Sequence, residues 1–108
     1  MDRTEAERLR AHLEDVIRAG WGERDPEVQV TGMLRADNMI DLTVVSALFV
    51  GKSGLEREAY FWPVFAPVPR ADLIYMTYCL LLTPDEAARQ FSLGISVPDQ
   101  DNADDWAE

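Results

Sequence analysis

The sequence predicts an α+β fold: a three-stranded sheet with helices on one face, in the order α-β-β-α-β-α. Three observations lead there. Val28, Val30, Gly32 and Leu34 alternate with Gln29, Thr31 and Met33, and Ile40, Leu42 and Val44 alternate with Asp41, Thr43 and Val45. Such period-two patterning marks half-buried strands. Residues 74–82 form a near-continuous apolar run rich in β-formers, as expected of a strand buried on both sides or nearly so. The segments around these three show helix-start signals and helical spacing, and a helix-on-sheet arrangement buries all the stripes together.

The elements follow in order. Thr4, Glu5, Ala6 and Glu7 have capping-box spacing, Leu9, Leu13, Val16 and Ile17 give one apolar stripe, and Gly20 is placed to end the helix. The first strand carries an expected bulge at Gly32. The short connection 35–38 makes the first two strands an antiparallel hairpin. Residues 46–49 suggest a single helical turn. Ser53 is set to cap a helix over 54–65, with Leu55, Ala59, Trp62 and Phe65 inward and Pro63 shortening it. Pro67 and Pro69 mark a bend, and 70–73 a short turn. Thr83, Pro84, Asp85 and Glu86 combine a hydroxyl N-cap, proline at N1 and glutamate at N3, so a final helix begins here and ends near Phe91 or Leu93. One domain is expected over 1–93, with an acidic, disordered tail over 94–108.

Composition narrows the function. The chain has 108 residues and a formal charge of -10. Residues 1–91 hold 15 acids and 10 bases, and 92–108 add five acids with no base. Phosphate neutralisation supplies most non-specific nucleic-acid affinity, so this balance argues against broad DNA or RNA binding. A domain of this size has little room for an enclosed cofactor. Cys79 is the sole cysteine and His12 the sole histidine, which argues against an internal disulfide or a self-contained zinc or iron site. There is no G-x-S-x-G elbow, and the paired acids are sequence neighbours that do not face each other on a helix. A non-enzymatic role is expected. The charged N-terminus and the lack of a long apolar run imply a cytoplasmic protein with no membrane segment.

From Asp41 to Glu86 these elements come with residues that resemble the BolA family. Val44, Val45 and Ser46 lead into Phe49-Val50-Gly51-Lys52-Ser53-Gly54-Leu55-Glu56-Arg57, which is similar to that family's Phe-x-Gly-x-Ser-x-Leu-x-Arg stretch. Trp62 stands at a tyrosine position, and Thr83 to Glu86 match Thr-Pro-Glu-Glu. The resemblance implies a fold like class II KH domains and an adaptor that pairs with glutaredoxin-like proteins, often around a shared [2Fe-2S] cluster. Tyr75 occupies the family's metal-ligating histidine position, and Glu58 replaces a histidine after Arg57. A phenol with pKa about 10 is a poor iron ligand. The implied adaptor therefore works without its own metal.

The partner-binding residues expected on this basis are Lys52, Ser53, Arg57, Tyr60, Trp62 and Tyr75. Tyr60, Phe61, Trp62 and Phe65 are the strongest hint, because four rings in six residues span too wide an arc for one buried face. Either some pack under the proline-rich bend or some form an exposed anchor patch. Gly51 to Gly54 has the GxxG spacing of KH loops, so a nucleic-acid contact through Gly51, Lys52, Ser53 and Gly54 is the alternative; a simple helix-capping turn weighs more. Cys79 reads as a core thiol, with cluster ligation in a complex as the lesser alternative. An acidic interaction or immunity-type protein is a further reading, resting on charge alone. The chain is expected to be a monomer or weak dimer.

Overall fold

The computed structural model describes residues 1–36 and 38–92; the expected tail lies outside them. Helix α1 spans Arg3–Trp21, strand β1 Gln29–Ala36, strand β2 Met39–Val45, helix α2 Gly54–Phe61, helix α3 Arg70–Leu73, strand β3 Met76–Leu82 and helix α4 Pro84–Ser92. Short 3-10 turns at Ala47–Phe49 and Trp62–Phe65 flank α2. The sheet order is β1-β2-β3, with β1 and β2 antiparallel and β2 and β3 parallel. The two-residue connection leaves only a hairpin between β1 and β2. The thirty residues between β2 and β3 supply the long crossover that parallel pairing requires. No described helix is long and apolar enough to cross a membrane.

One sheet face carries Val30, Ile40, Leu42, Val44 and Leu81 into the core. There they meet Leu9, Leu13, Ile17 and Trp21 of α1, together with Phe49, Phe61, Phe65 and Val68. Trp21 is the hub. Its indole stacks on Phe49 at 5.5 Å and meets Tyr60 and Phe61 edge-on, each at 5.1 Å. Its Nε1–H donates to Ser46 Oγ at 2.9 Å, and Ser46 donates to Asp25 at 2.6 Å. A buried indole and a buried hydroxyl thus satisfy each other, which keeps their desolvation affordable.

The structure corrects several expectations. The 74–82 run is not a strand buried on both sides: β3 begins at Met76, and Thr77 and Tyr78 on it are exposed because helices pack on one face of the sheet only at this strand. The capping box of α1 is Asp2 with Glu5, two residues earlier than Thr4 with Glu7. The helix does not stop at Gly20 but runs on to Trp21, because the buried indole fixes that last turn. The irregularity of the hairpin lies between Leu34 and Ala36, not at Gly32. Gly32 answers a different need: a Cβ there would stand 2.6 Å from Glu14 Oε2 and 2.9 Å from Arg10 Cγ, so its absence leaves room for the Glu14 carboxylate to reach the strand's N–H. The inward face of the 54–65 segment is Phe61 and Phe65, while Leu55, Ala59 and Trp62 face out. In addition, α2 ends at Phe61, and Pro63 falls in the 3-10 turn that follows.

Candidate partner-binding surface

The surface is built on the loop before α2 and on α2 itself. Gly51 has φ +80°, the left-handed region that favours glycine, and it turns the chain into the helix. Ser53 is the N-cap of α2 and accepts from the Glu56 N–H at 3.2 Å, while Glu56 returns its carboxylate to the Ser53 N–H at 2.7 Å. That backbone bond is the main reason the Glu56 carboxyl is held below its ordinary range. Its consequence for the GxxG reading is direct. The helix start that would greet a phosphate already holds a carboxylate from its own chain. Gly54 has open space around it, and Lys52 extends along the Tyr60 ring, with Nζ 4.7 Å from the centroid. Arg24 lies 5.2 Å from the same ring and from that of Trp21. Tyr60 is thereby framed by two cations, an arrangement that cation–π attraction favours.

Arg57 points inward. Its guanidinium holds Glu86 in a bidentate pair at 2.7 and 3.0 Å and donates to the carbonyls of Lys52 and Leu81, each at 2.9 Å. One side chain ties the loop, the end of β3 and the start of α4 together. Hydrogen bonding to Arg57 is the largest reason the Glu86 carboxyl falls to about 2, and the same bond raises the guanidinium pKa. Thr83 caps α4 as its sequence implies, accepting from the Glu86 N–H at 3.1 Å.

The other flank of α2 is apolar and exposed. Leu55, Glu58, Ala59 and Trp62 recur at i, i+3, i+4 and i+7, one helical stripe, and all are open to solvent. Leu55 is 79% exposed and Trp62 46%. Trp62 rests edge-on against Phe65 at 5.1 Å, which fixes its ring without covering it. Val50 beside the loop is exposed too.

Of the residues expected to bind a partner, the structure gathers Lys52, Ser53, Tyr60 and Trp62 on the loop and α2, with Lys52 and Tyr60 on one flank and Trp62 on the other. Arg57 lies beneath them. Tyr75 stands apart, half-buried against the core, with its carbonyl accepting from the Ile40 N–H at 2.8 Å. Tyr75, Thr77 and Cys79 do not share a face, because the β2–β3 register slips between Ile40 and Asp41. Thr77 instead joins the exposed Arg35–Asp41 pair on the opposite face, donating to Asp41 at 2.9 Å. Cys79 turns toward the core, where burial first, and Glu58 second, push its thiol up to about 12. Such a thiol is neutral and weakly nucleophilic. Among the described residues no three His, Cys, Asp or Glu side chains stand together as a metal-binding group.

Two features escaped the sequence reading. Trp21 sits between two glycines, just past the expected end of the first helix, and Arg24 lies in an otherwise polar connection. Neither carries a pattern signal. In comparisons with protein-family models, with curated proteins and with solved structures, nothing matches this chain.

Proposed function

We propose that this chain is a non-enzymatic, BolA-like adaptor that binds another protein through the loop and outward flank of α2. The observation that carries the reading is the stripe Leu55–Ala59–Trp62 facing solvent on a helix whose inward side is already filled by Phe61. A small domain with a complete aromatic core has no packing reason to leave a leucine and a tryptophan outside. Large exposed apolar groups of this kind anchor protein interfaces. Lys52 and Tyr60 on the other flank add a polar rim. The sequence resemblance adds a glutaredoxin-like protein as the first partner to test. The nucleic-acid reading is the weaker one, since Glu56 fills the helix start and the chain carries -10 overall.

The test is purification of a tagged copy from a native extract, alongside Leu55→Asp and Trp62→Ala. A partner retained by the parent chain and lost from both variants, with unchanged circular dichroism, is the expected result. Equal recovery by all three removes this surface from the interaction.

A further inference from the structure

The helices gather on the sheet face that carries Val30, Ile40, Leu42, Val44 and Leu81. Period-two alternation sends the side chains between these to the other face. The strand register lines them up in rows: Met33, Asp41 and Tyr78 nearest the hairpin, then Thr31, Thr43 and Leu80. A third row, Gln29, Val45 and Leu82, ends the face, and there Val45 is buried and shares a cavity with Pro84, Ala87 and Ala88 of α4. Toward the hairpin the face is open. Met33 is 60% exposed, Tyr78 39%, and Thr31 is exposed beside them.

This face also differs in charge from the rest of the chain. Against a net charge of -10, the three strands hold only Arg35 and Asp41, and these neutralise each other in a two-point pair, both contacts at 2.8 Å. The other side chains of the two open rows are hydroxyl-bearing or apolar. Two copies of an acidic chain repel wherever their acids meet. A broad face whose one acid already has its guanidinium is where they can approach.

The rows are lopsided in a way that suits a second copy. Bulk lies on the β3 side, in Tyr78 and Leu80, and the β1 side of the same rows has the slimmer Met33 and Thr31. A two-fold axis along β2, between sheets about 10 Å apart, lays β3 of each copy over β1 of the other. Tyr78 then meets Met33, a favourable sulfur–aromatic contact, and Leu80 meets Thr31. Asp41 lies near its mate and keeps its own Arg35. At strand spacings the open part measures roughly 15 Å by 15 Å, well below the roughly 800 Å² per partner of a permanent interface. Association through it is weak and reversible.

We infer that this open sheet face joins two copies of the chain in a reversible dimer, sheet against sheet, with Tyr78 of each copy against Met33 of the other. Helix α2 packs on the opposite side of the sheet, so its Leu55–Trp62 stripe stays free in both copies. The dimer presents that stripe twice, which raises apparent affinity for a partner that is itself paired. Sedimentation tests the dimer and partner retention tests the α2 surface, so either can fail without the other.

The test is sedimentation equilibrium of the full chain from about 5 to 500 µM, at about 50 and 300 mM salt. The expected result is a monomer–dimer equilibrium that tightens with salt, because screening weakens repulsion between the acidic copies and leaves the uncharged contact intact. Thr31→Lys and Tyr78→Lys each put a lysine into that contact and should weaken dimerisation at least about tenfold, with unchanged circular dichroism. Both lower the net negative charge, so loss of the dimer does not come from added repulsion between whole chains. Trp62→Ala should dimerise as the parent does. A monomer throughout, or a dimer indifferent to both lysines, overturns the proposal. So does a dimer weakened by salt, which is held by ion pairs, or one lost with Leu55→Asp, which forms through α2. A dimer that appears only after deletion of residues 93–108 assigns the face to the chain's own C-terminal residues and overturns it too.

Discussion

Ser46 shows how much one small residue carries here. Its hydroxyl accepts from the Trp21 indole, donates to Asp25 and caps the following turn through the Leu48 N–H. Ser46→Ala leaves a buried indole donor and a carboxylate without their partner, and it should cost about 1–3 kcal/mol, read as a lower urea midpoint at unchanged slope. The Arg57–Glu86 pair sets an acid-side dependence. The Glu86 carboxyl is depressed to about 2 in the folded chain, so its contribution to stability is present in full above the unfolded carboxylate range and is lost as pH falls toward about 2. Because the pair is partly solvated, Glu86→Gln should cost roughly 1–2 kcal/mol at neutral pH. The variant should also show a flatter decline between about pH 5 and 2, measured by urea unfolding across that range. Arg57 was legible in the sequence as part of a motif, but its role was not. A cation beside a glycine loop suggests a contact with a partner, and only the position of Glu86 turns it inward.

At the level of elements, α2 is the instructive case. Its eight residues and the turn after it carry two apolar sets, Leu55–Ala59–Trp62 and Phe61–Phe65, on different sides of the helix. Periodicity supports either as the inward face, and of the residues the sequence reading put inward (Leu55, Ala59, Trp62 and Phe65) only Phe65 is buried. Packing decides for Phe61, because its ring fits edge-on between Trp21 and Phe65 at 5.1 and 5.7 Å. Since the other set touches little, Leu55→Asp should change folding stability by no more than about 0.5 kcal/mol, checked by thermal melting. Loss of partner binding with retained stability is the signature of a surface that exists for an interaction. The hairpin gives the converse prediction. Gly32→Ala pushes a methyl group against Glu14 and Arg10, so it should destabilise the chain and expose the β1 edge. Faster amide exchange at position 32 and at Leu34 is the measurement.

For the molecule as a whole, the aromatic cluster joins α1, the 3-10 turns and α2 over the sheet, so the parts should unfold together. With Trp62→Phe and Trp106→Phe leaving Trp21 as the one indole, fluorescence and far-ultraviolet circular dichroism should give coincident urea transitions. An earlier fluorescence transition would mean that the α1–α2 layer separates from the sheet. Length, the two alternating stretches, the apolar run and the Thr83–Glu86 cap sufficed for the α+β class, the element order and the hairpin. Those features rest on local signals, namely period, caps and connection length, which a chain displays before it folds. Local signals were silent on what lies between elements. The seating of Trp21 between Phe49, Tyr60 and Phe61, and the turn of α2 that leaves Leu55 and Trp62 outside, both depend on residues brought together from distant positions. The reason is physical: burial, edge pairing and ion pairing are properties of neighbours in space, and sequence spacing does not specify them.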